Sequence, residues 1–244
     1  MSYQYLENVY EILKKIEKLE NSNIEASIEL ITNTIKNNNQ LFVFGASHAG
    51  IISEELFYRA GGLALFNPIF EPSIMLSTKP VTKTSEMERL DGYGSIIGRN
   101  TKLKKSDCLI IHSVSGRNPV AIDLALYAKS IGVNIIALTN LDYSKNVKSR
   151  HKCNKNLYEL ADIVLDNHGD IGDATVRVDG LTQKVAPTST VVGSTIMNII
   201  VSETAIRLQK DGVTPPIFFS ANIDGGEKHN DEIFKKYKDL IHYQ

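Results

Sequence analysis

Two short stretches concentrate small, hydrogen-bonding residues directly in front of helix-like sequence. "GASHAG", Gly45 to Gly50, ends the apolar run "LFVFG", and "HSVSGRNP", His112 to Pro119, follows "SDCLII". Each joins a glycine, which lets backbone approach a ligand, to serine hydroxyls. Each also leads into a helix start, where free N–H groups and the helix dipole favour an anion. Serine and asparagine cap helices as well, so one such loop would need no ligand to explain it. Two in one chain imply a cradle for a phosphate-like anion, built from hydroxyls and amides without a lysine. Neither loop carries the dinucleotide pattern G-x-G-x-x-G or the P-loop pattern G-x-x-x-x-G-K-[ST]. A nucleotide cofactor is therefore not expected.

The elements that must hold these loops follow from the apolar pattern. Leu6, Val9, Leu13 and Ile16 recur at helical spacing, as do Ile24, Ile28, Ile31 and Ile35. Ser22, with Glu25 three residues on, predicts a capping box opening the second helix. From residue 41 short apolar strands alternate with amphipathic helices. "LFVFG", "LALFNPI", "SDCLIIHSV", "NIIALTN" and "ELADIVLDN" read as strands; "HAGIISEELFYRAGG", "NPVAIDLALYAKSIGV" and "STVVGSTIMNIIVSETAIRLQKDG" read as helices. This pattern predicts an α/β fold, a doubly wound parallel five-stranded sheet flanked by helices. Residues 1–40 form its N-terminal helical segment, and residues 41–244 a single domain with a C-terminal extension. In such a sheet ligands bind outside the carboxyl ends of the strands, where both loops lie.

Composition narrows the function. A formal net charge of −1 gives no basic field for nucleic acid or an anionic membrane. Cys108 and Cys153, the two cysteines, cannot build a disulfide framework. Cys108 reads as a small buried hydrophobe. The lack of an H-x-x-x-H or C-x-x-C pair predicts no metal site. No apolar run approaches the roughly 20 residues of a membrane span, and the charged start "MSYQYLENVYEILKK" is unlike a signal peptide. The expectation is a cytoplasmic protein.

"SVSGRNPVAIDLALYAKSIGVNIIALTN" is the most specific segment. It resembles the S-x-S-G-x-[ST] phosphate loop, helix and following strand of sugar isomerase (SIS) domains, a fold that binds phosphosugars; the likeness extends over 41–211. The resemblance implies that Ser113, Ser115 and Asn118 hold the phosphate with amides around Gly116, that Arg117 assists, and that Ser47 reaches the sugar. It also implies a third hydroxyl-rich wall from Thr188, Ser189 and Thr190 in "PTSTVVGS". By family analogy the partners are a sugar phosphate and a second or further copy of the chain, as a homodimer or homotetramer.

Two chemistries fit that resemblance. "SGRNP" is close to the S-G-R-T-P motif of N-acetylmuramic acid 6-phosphate etherases. "TKTSEMERLDG" is similar to the segment in which they place a catalytic glutamate, which makes Glu86 a general acid/base. Those enzymes carry a second glutamate further on, whereas "GYGSIIGRNTKLKKSDC" contains none. Aldose–ketose isomerisation, as in phosphoheptose isomerase-like proteins, needs a base that moves a proton between adjacent carbons and a group that opens the ring. A carboxylate and an imidazole serve, since partial burial brings both near neutrality. Glu86, His48 and His168 are the candidates. Glu88, displaced from Glu86 by about 200° on a helix, is expected in solvent. Glu203 is expected to pair with Arg207, four residues on. Asp170 and Asp173 read as turn formers, and His229 as a residue able to reach a neighbouring copy. The leading expectation is a sugar-phosphate isomerase. The alternatives are a non-catalytic sugar-phosphate sensor and an etherase or lyase acting on an amino-sugar 6-phosphate.

Overall fold

The computed structural model describes residues 3–244. Two helices, α1 (Gln4–Leu19) and α2 (Asn21–Lys36), lead into β1 (Leu41–Gly45). Then follow α3 (Ile51–Leu56), β2 (Phe66–Pro68), α4 (Lys83–Glu88), α5 (Tyr93–Asn100), β3 (Cys108–His112), α6 (Pro119–Ser130), β4 (Asn134–Thr139), α7 (Leu141–Lys145) and β5 (Ile163–Asp166). A small antiparallel pair, β6 (Ala174–Val176) and β7 (Val185–Pro187), precedes the long α8 (Ser189–Lys210), and α9 (Gly226–Lys236) lies near the C-terminus.

The five long-sheet strands run parallel in the order β2-β1-β3-β4-β5. Side chains alternate between the two faces, as a strand's two-residue period requires. Leu41, Val43, Cys108, Ile110, Ile136 and Leu138 pack with Ile16, Ile28, Ile31, Ile196 and Ile200 of α1, α2 and α8. Phe42, Phe44, Leu109, Ile111, Ile135 and Ala137 pack with Ile97, Val120, Leu124 and Ala128 of α5 and α6. A sheet buried on both faces needs continuously apolar strands, and β3 is buried at all five positions. The expected doubly wound sheet is present. Its strand order reverses between β1 and β3, and the loops after those two strands part to opposite sides and leave a crevice.

Several local expectations differ. α2 begins at Asn21, and neither Ser22 nor Glu25 forms a capping box; only Glu20 separates it from α1. The helix after β1 is split into a 3-10 turn, Ser47–Gly50, and the short α3, which stops where Phe57 turns extended and Tyr58 takes a φ of 40°. β2 is only three residues long, because Leu63 instead bridges antiparallel to Ile217. α8, with 22 residues and a mean hydropathy of 1.3 in its most apolar window, is by length and composition alone long and apolar enough to cross a bilayer. Val192, Ile196, Met197 and Ile200 of this helix are wholly buried in the core.

Candidate functional site

The crevice between the β1 and β3 loops is a cleft of about 270 Å³. That is slightly below the roughly 300–1,000 Å³ of drug-sized pockets, and suits one small polar ligand better than a dinucleotide. Ser47, His48, Glu88, His112, Ser113, Ser115, Asn118, Tyr143 and Asp173 contribute its polar lining. Larger hollows of about 510 and 640 Å³ lie at the opposite, N-terminal edge of the sheet, beside Gln40, Lys104 and Asp239. Strand direction favours the smaller one, at the carboxyl ends.

The loop after β3 is built to leave its amides free. Ser113 N–H donates to Leu138 O, which extends the β3–β4 ladder by one residue. Thr139 Oγ1 lies 2.8 Å from Ser113 O and 3.0 Å from Val114 O, and Asn140 N–H donates to Val114 O. The carbonyls are thereby drawn away from the cleft. Among the described residues, the N–H groups of Val114, Ser115, Gly116 and Arg117 have no protein acceptor. Gly116 makes the turn possible, since its φ is 61° and a Cβ there would sit 2.8 Å from Ser144 Oγ. Asn118 precedes Pro119 at the start of α6, so the dipole of a 12-residue helix points at the same place.

The loop after β1 closes the other side. A Cβ on Gly45 would lie 2.3 Å from Ala49 O, so only glycine lets the chain fold back. That fold brings Ala49 O to 3.0 Å from His112 Nδ1. A carbonyl only accepts, so Nδ1 carries the proton and Nε2 of the neutral ring is an acceptor. His112 Nε2 is buried and has no protein partner. Burial lowers the pKa of this imidazole, outweighing the hydrogen bond to Ala49 and the charge of Asp173, so the neutral ring dominates at pH 7. The sequence pattern treats His112 as the end of a buried strand. Its position immediately before the serine loop was the available signal.

Glu88, not Glu86, faces the cleft. Ser47 Oγ donates to Glu88 Oε1, and Asn118 Nδ2 donates to Glu88 Oε2 at 2.7 Å. Glu86 is exposed and does not line the cleft. α4 ends at Glu88, so the chain's exit toward α5, not the helical wheel, decides which carboxylate turns inward. His48 lines the mouth of the cleft and is otherwise solvent-exposed.

The remaining candidates lie elsewhere. His168 Nε2 is 2.9 Å from Glu20 Oε1, and its Nδ1 is 3.4 Å from Asp166 Oδ2. These bonds tie the α1–α2 junction to the end of β5, outside the cleft. The hydrogen bond to Glu20 raises the His168 pKa above 6.5 against the opposing effect of burial, with further help from the charge of Asp166. Burial pushes Glu20 upward, but hydrogen bonds from His168, Asn23 and the Asp166 amide together hold it below 4.5.

Thr188 and Ser189, expected as a wall around the sugar, are turned inward. Ser189 Oγ donates to Asp173 Oδ2 at 2.6 Å; Ser189 N and Thr188 N donate to Asp173 Oδ1 at 2.8 and 3.2 Å. Asp173 is thus more than a turn former: its carboxylate caps α8, and its residue, with Gly172, supplies the third side of the cleft. Thr190, half-buried, does not line it. Arg207 pairs with Glu25 of α2 rather than with Glu203, which is exposed. His229 Nε2 is 3.0 Å from Ile217 O, and its ring stacks on Phe219 within its own chain. Among the described residues no group of three or more His, Cys, Asp or Glu is placed to hold a metal ion.

The parallel sheet with its switch-point cleft defines the class. Residues 4–140 match the SIS domain, and the chain belongs to that family. Along nearly their whole length, 98% of each chain, it is 53% identical to a UPF0309 protein of Oceanobacillus iheyensis. It is 50% identical to a UPF0309 protein of Shouchella clausii over 100% of both chains. Among solved structures, the fold is similar to a phosphoheptose isomerase from Francisella tularensis, with TM-score 0.53 and 14% identity over 82% of this chain and 94% of that one. It is also similar to the phosphoheptose isomerase of Neisseria gonorrhoeae, with TM-score 0.53 and 16% identity over 83% and 94%.

Proposed function

We propose that the chain binds a sugar phosphate in the β1/β3 cleft and interconverts its aldose and ketose forms. One observation carries the reading: free amides and two serine hydroxyls at the start of α6 share a cleft with two imidazoles, His48 and His112, and with the Glu88 carboxylate, the second acid in the lining, Asp173, being engaged by Ser189 and Thr188. The amides of 114–117, with Ser113 and Ser115, surround the phosphate and anchor the sugar. The Glu88 carboxylate takes the proton from the carbon next to the carbonyl. The C–H electron pair becomes the C=C bond of an enediolate as the carbonyl π pair moves onto its oxygen, and once the hydroxyl proton has passed to that oxygen the same carboxyl returns its proton to the neighbouring carbon. His112 Nε2, as an acceptor, takes the hydroxyl proton that must move between the two oxygens, and His48 at the mouth acts on ring opening. The phosphoheptose isomerases with a similar fold agree with this class of substrate.

We further take the chain to act in the cytoplasm as a homodimer or homotetramer. Apolar side chains exposed on α1 (Leu6, Tyr10) and α8 (Val191, Ile199, Ile206) support that assembly.

The test is incubation with a panel of sugar phosphates in D2O, followed by proton NMR. Deuterium appearing at the carbon beside the carbonyl, together with the isomeric sugar phosphate, is the expected result. Binding without exchange by any member would replace the isomerase with a sensor, and release of a side group would replace it with a lyase.

A further inference from the structure

Three arginines adjoin the cleft residues Glu88 and Asn118 in sequence or by hydrogen bond, and among the described residues none of them forms a salt bridge. Arg89 follows Glu88 at the end of α4, Arg117 belongs to the β3–α6 loop, and Arg150 lies in the segment after α7. The Arg150 amide donates to Arg117 O at 2.9 Å, and Arg150 Nη1 donates to Asn118 Oδ1 at 2.9 Å. This places the Arg150 guanidinium on the residue whose amide holds Glu88. Desolvation, then the like charges of Arg117 and Arg89, lower the Arg150 pKa against the opposing charge of Glu88.

Among the described residues, none of the three is within ion-pair distance of a carboxylate. Arg117 Nε is buried without any hydrogen-bond partner. The Glu88 carboxylate, hydrogen-bonded by Ser47 and Asn118, offsets part of the repulsion at Arg150 but forms no ion pair with any of the three. Arg99, within α5, and Arg177, just after β6, also lack ion pairs but are not among the charges acting on Arg150. Convergence of three like charges from three separate elements is unfavourable in itself, and an anion seated among them reverses its sign. The planar guanidinium fork suits a carboxylate or a phosphate.

We propose that Arg89, Arg117 and Arg150 form a second anion subsite beside the phosphate loop, so that the ligand is a sugar phosphate with a further carboxylate or phosphate group. This rests on the reading of the β3–α6 loop as the site of the first phosphate. The loop's amides hold that phosphate within the cleft, and Asn118 lies between the two anions. The ligand then spans the cleft from loop to rim, with its reactive carbons beside Glu88.

The experiment is calorimetric titration of the intact protein with two matched pairs of probes. Glucose 6-phosphate is set against 6-phosphogluconate, and fructose 6-phosphate against fructose 1,6-bisphosphate. At least one probe with two anionic groups is expected to bind about ten-fold tighter than its partner with one. The double variant R89Q/R150Q brings that ratio to about one. The pair that shows the preference tells a carboxylate from a phosphate. A ratio near one for both pairs in the unaltered protein overturns the second subsite and leaves the phosphate loop standing. So does a preference that survives in R89Q/R150Q, or equal losses for both members of a pair. Failure of all four probes to bind overturns both readings.

Discussion

The starts of α6 and α8 look alike in sequence and differ in the folded chain. "SVSGRNP" and "PTSTVVGS" each place serine or threonine hydroxyls before a helix that leaves the carboxyl side of the sheet. At α8 the Thr188 and Ser189 N–H groups and the Ser189 hydroxyl are taken by Asp173, sixteen residues upstream of Ser189. At α6 four successive amides have no protein acceptor. A hydroxyl-rich helix start becomes a ligand site only where no internal carboxylate satisfies it. The histidines divide in the same way: His168 is held between Glu20 and Asp166, while the Nε2 of His112 is unpartnered in the cleft. On the proposed reading the filled end serves stability and the unfilled end binding, so substitutions at the two ends must move different observables.

The largest effect is expected at Glu88. Glu88→Gln removes the proposed base, and turnover on an established substrate falls by about 10²–10⁴-fold. Glu86→Gln, at an exposed position outside the cleft, keeps at least half of the activity in the same assay. The reverse ranking would place the chemistry on the other carboxylate.

At the filled end, Asp173→Ala removes the cap from α8 and lowers unfolding stability by about 1–2 kcal/mol in urea titrations. Ser189→Ala, which removes one donor to that carboxylate, costs about 1 kcal/mol. A stability change within about 0.3 kcal/mol for both variants would erase the distinction between the two helix starts.

How much of this was legible in the sequence depends on the range of the interactions involved. The strands and the loops after β1 and β3 were readable, because Leu41–Gly45 and Cys108–His112 are largely apolar runs that give way to glycine and serine. The side chains that complete the cleft were not. Glu88 turns inward because α4 stops there, an end that no periodicity marks. His168 meets Glu20 across 148 positions, and Arg207 takes Glu25 across 182 in place of the local Glu203. Helix spacing describes neighbours on one element, whereas these pairings depend on how α2 packs on α8 and β5.

A smaller effect follows from the Glu20–His168 pair, and its sign is fixed by linkage. The folded His168 pKa is raised, so its contribution is fully present below 6.5 and is lost as pH rises through the folded value. The folded Glu20 pKa is lowered, so its contribution is present above 4.5 and is lost as pH falls through the folded value. Stabilisation is therefore greatest between about 4.5 and 6.5. His168→Gln is expected to cost about 0.5–1 kcal/mol at pH 6 and less at pH 9, read from denaturant midpoints at both values. A cost that grows toward pH 9 would contradict the ion pair.

The most direct test of the phosphate loop is the melting temperature of the protein with sugar phosphates and with the same sugars unphosphorylated. A ligand that binds the folded state raises the melting temperature by mass action. The account predicts a rise with phosphorylated members only, and its loss in the Ser113→Ala/Ser115→Ala variant. Equal shifts from sugars with and without phosphate, or a shift that survives in that variant, would contradict the assignment of the α6 loop as the phosphate site.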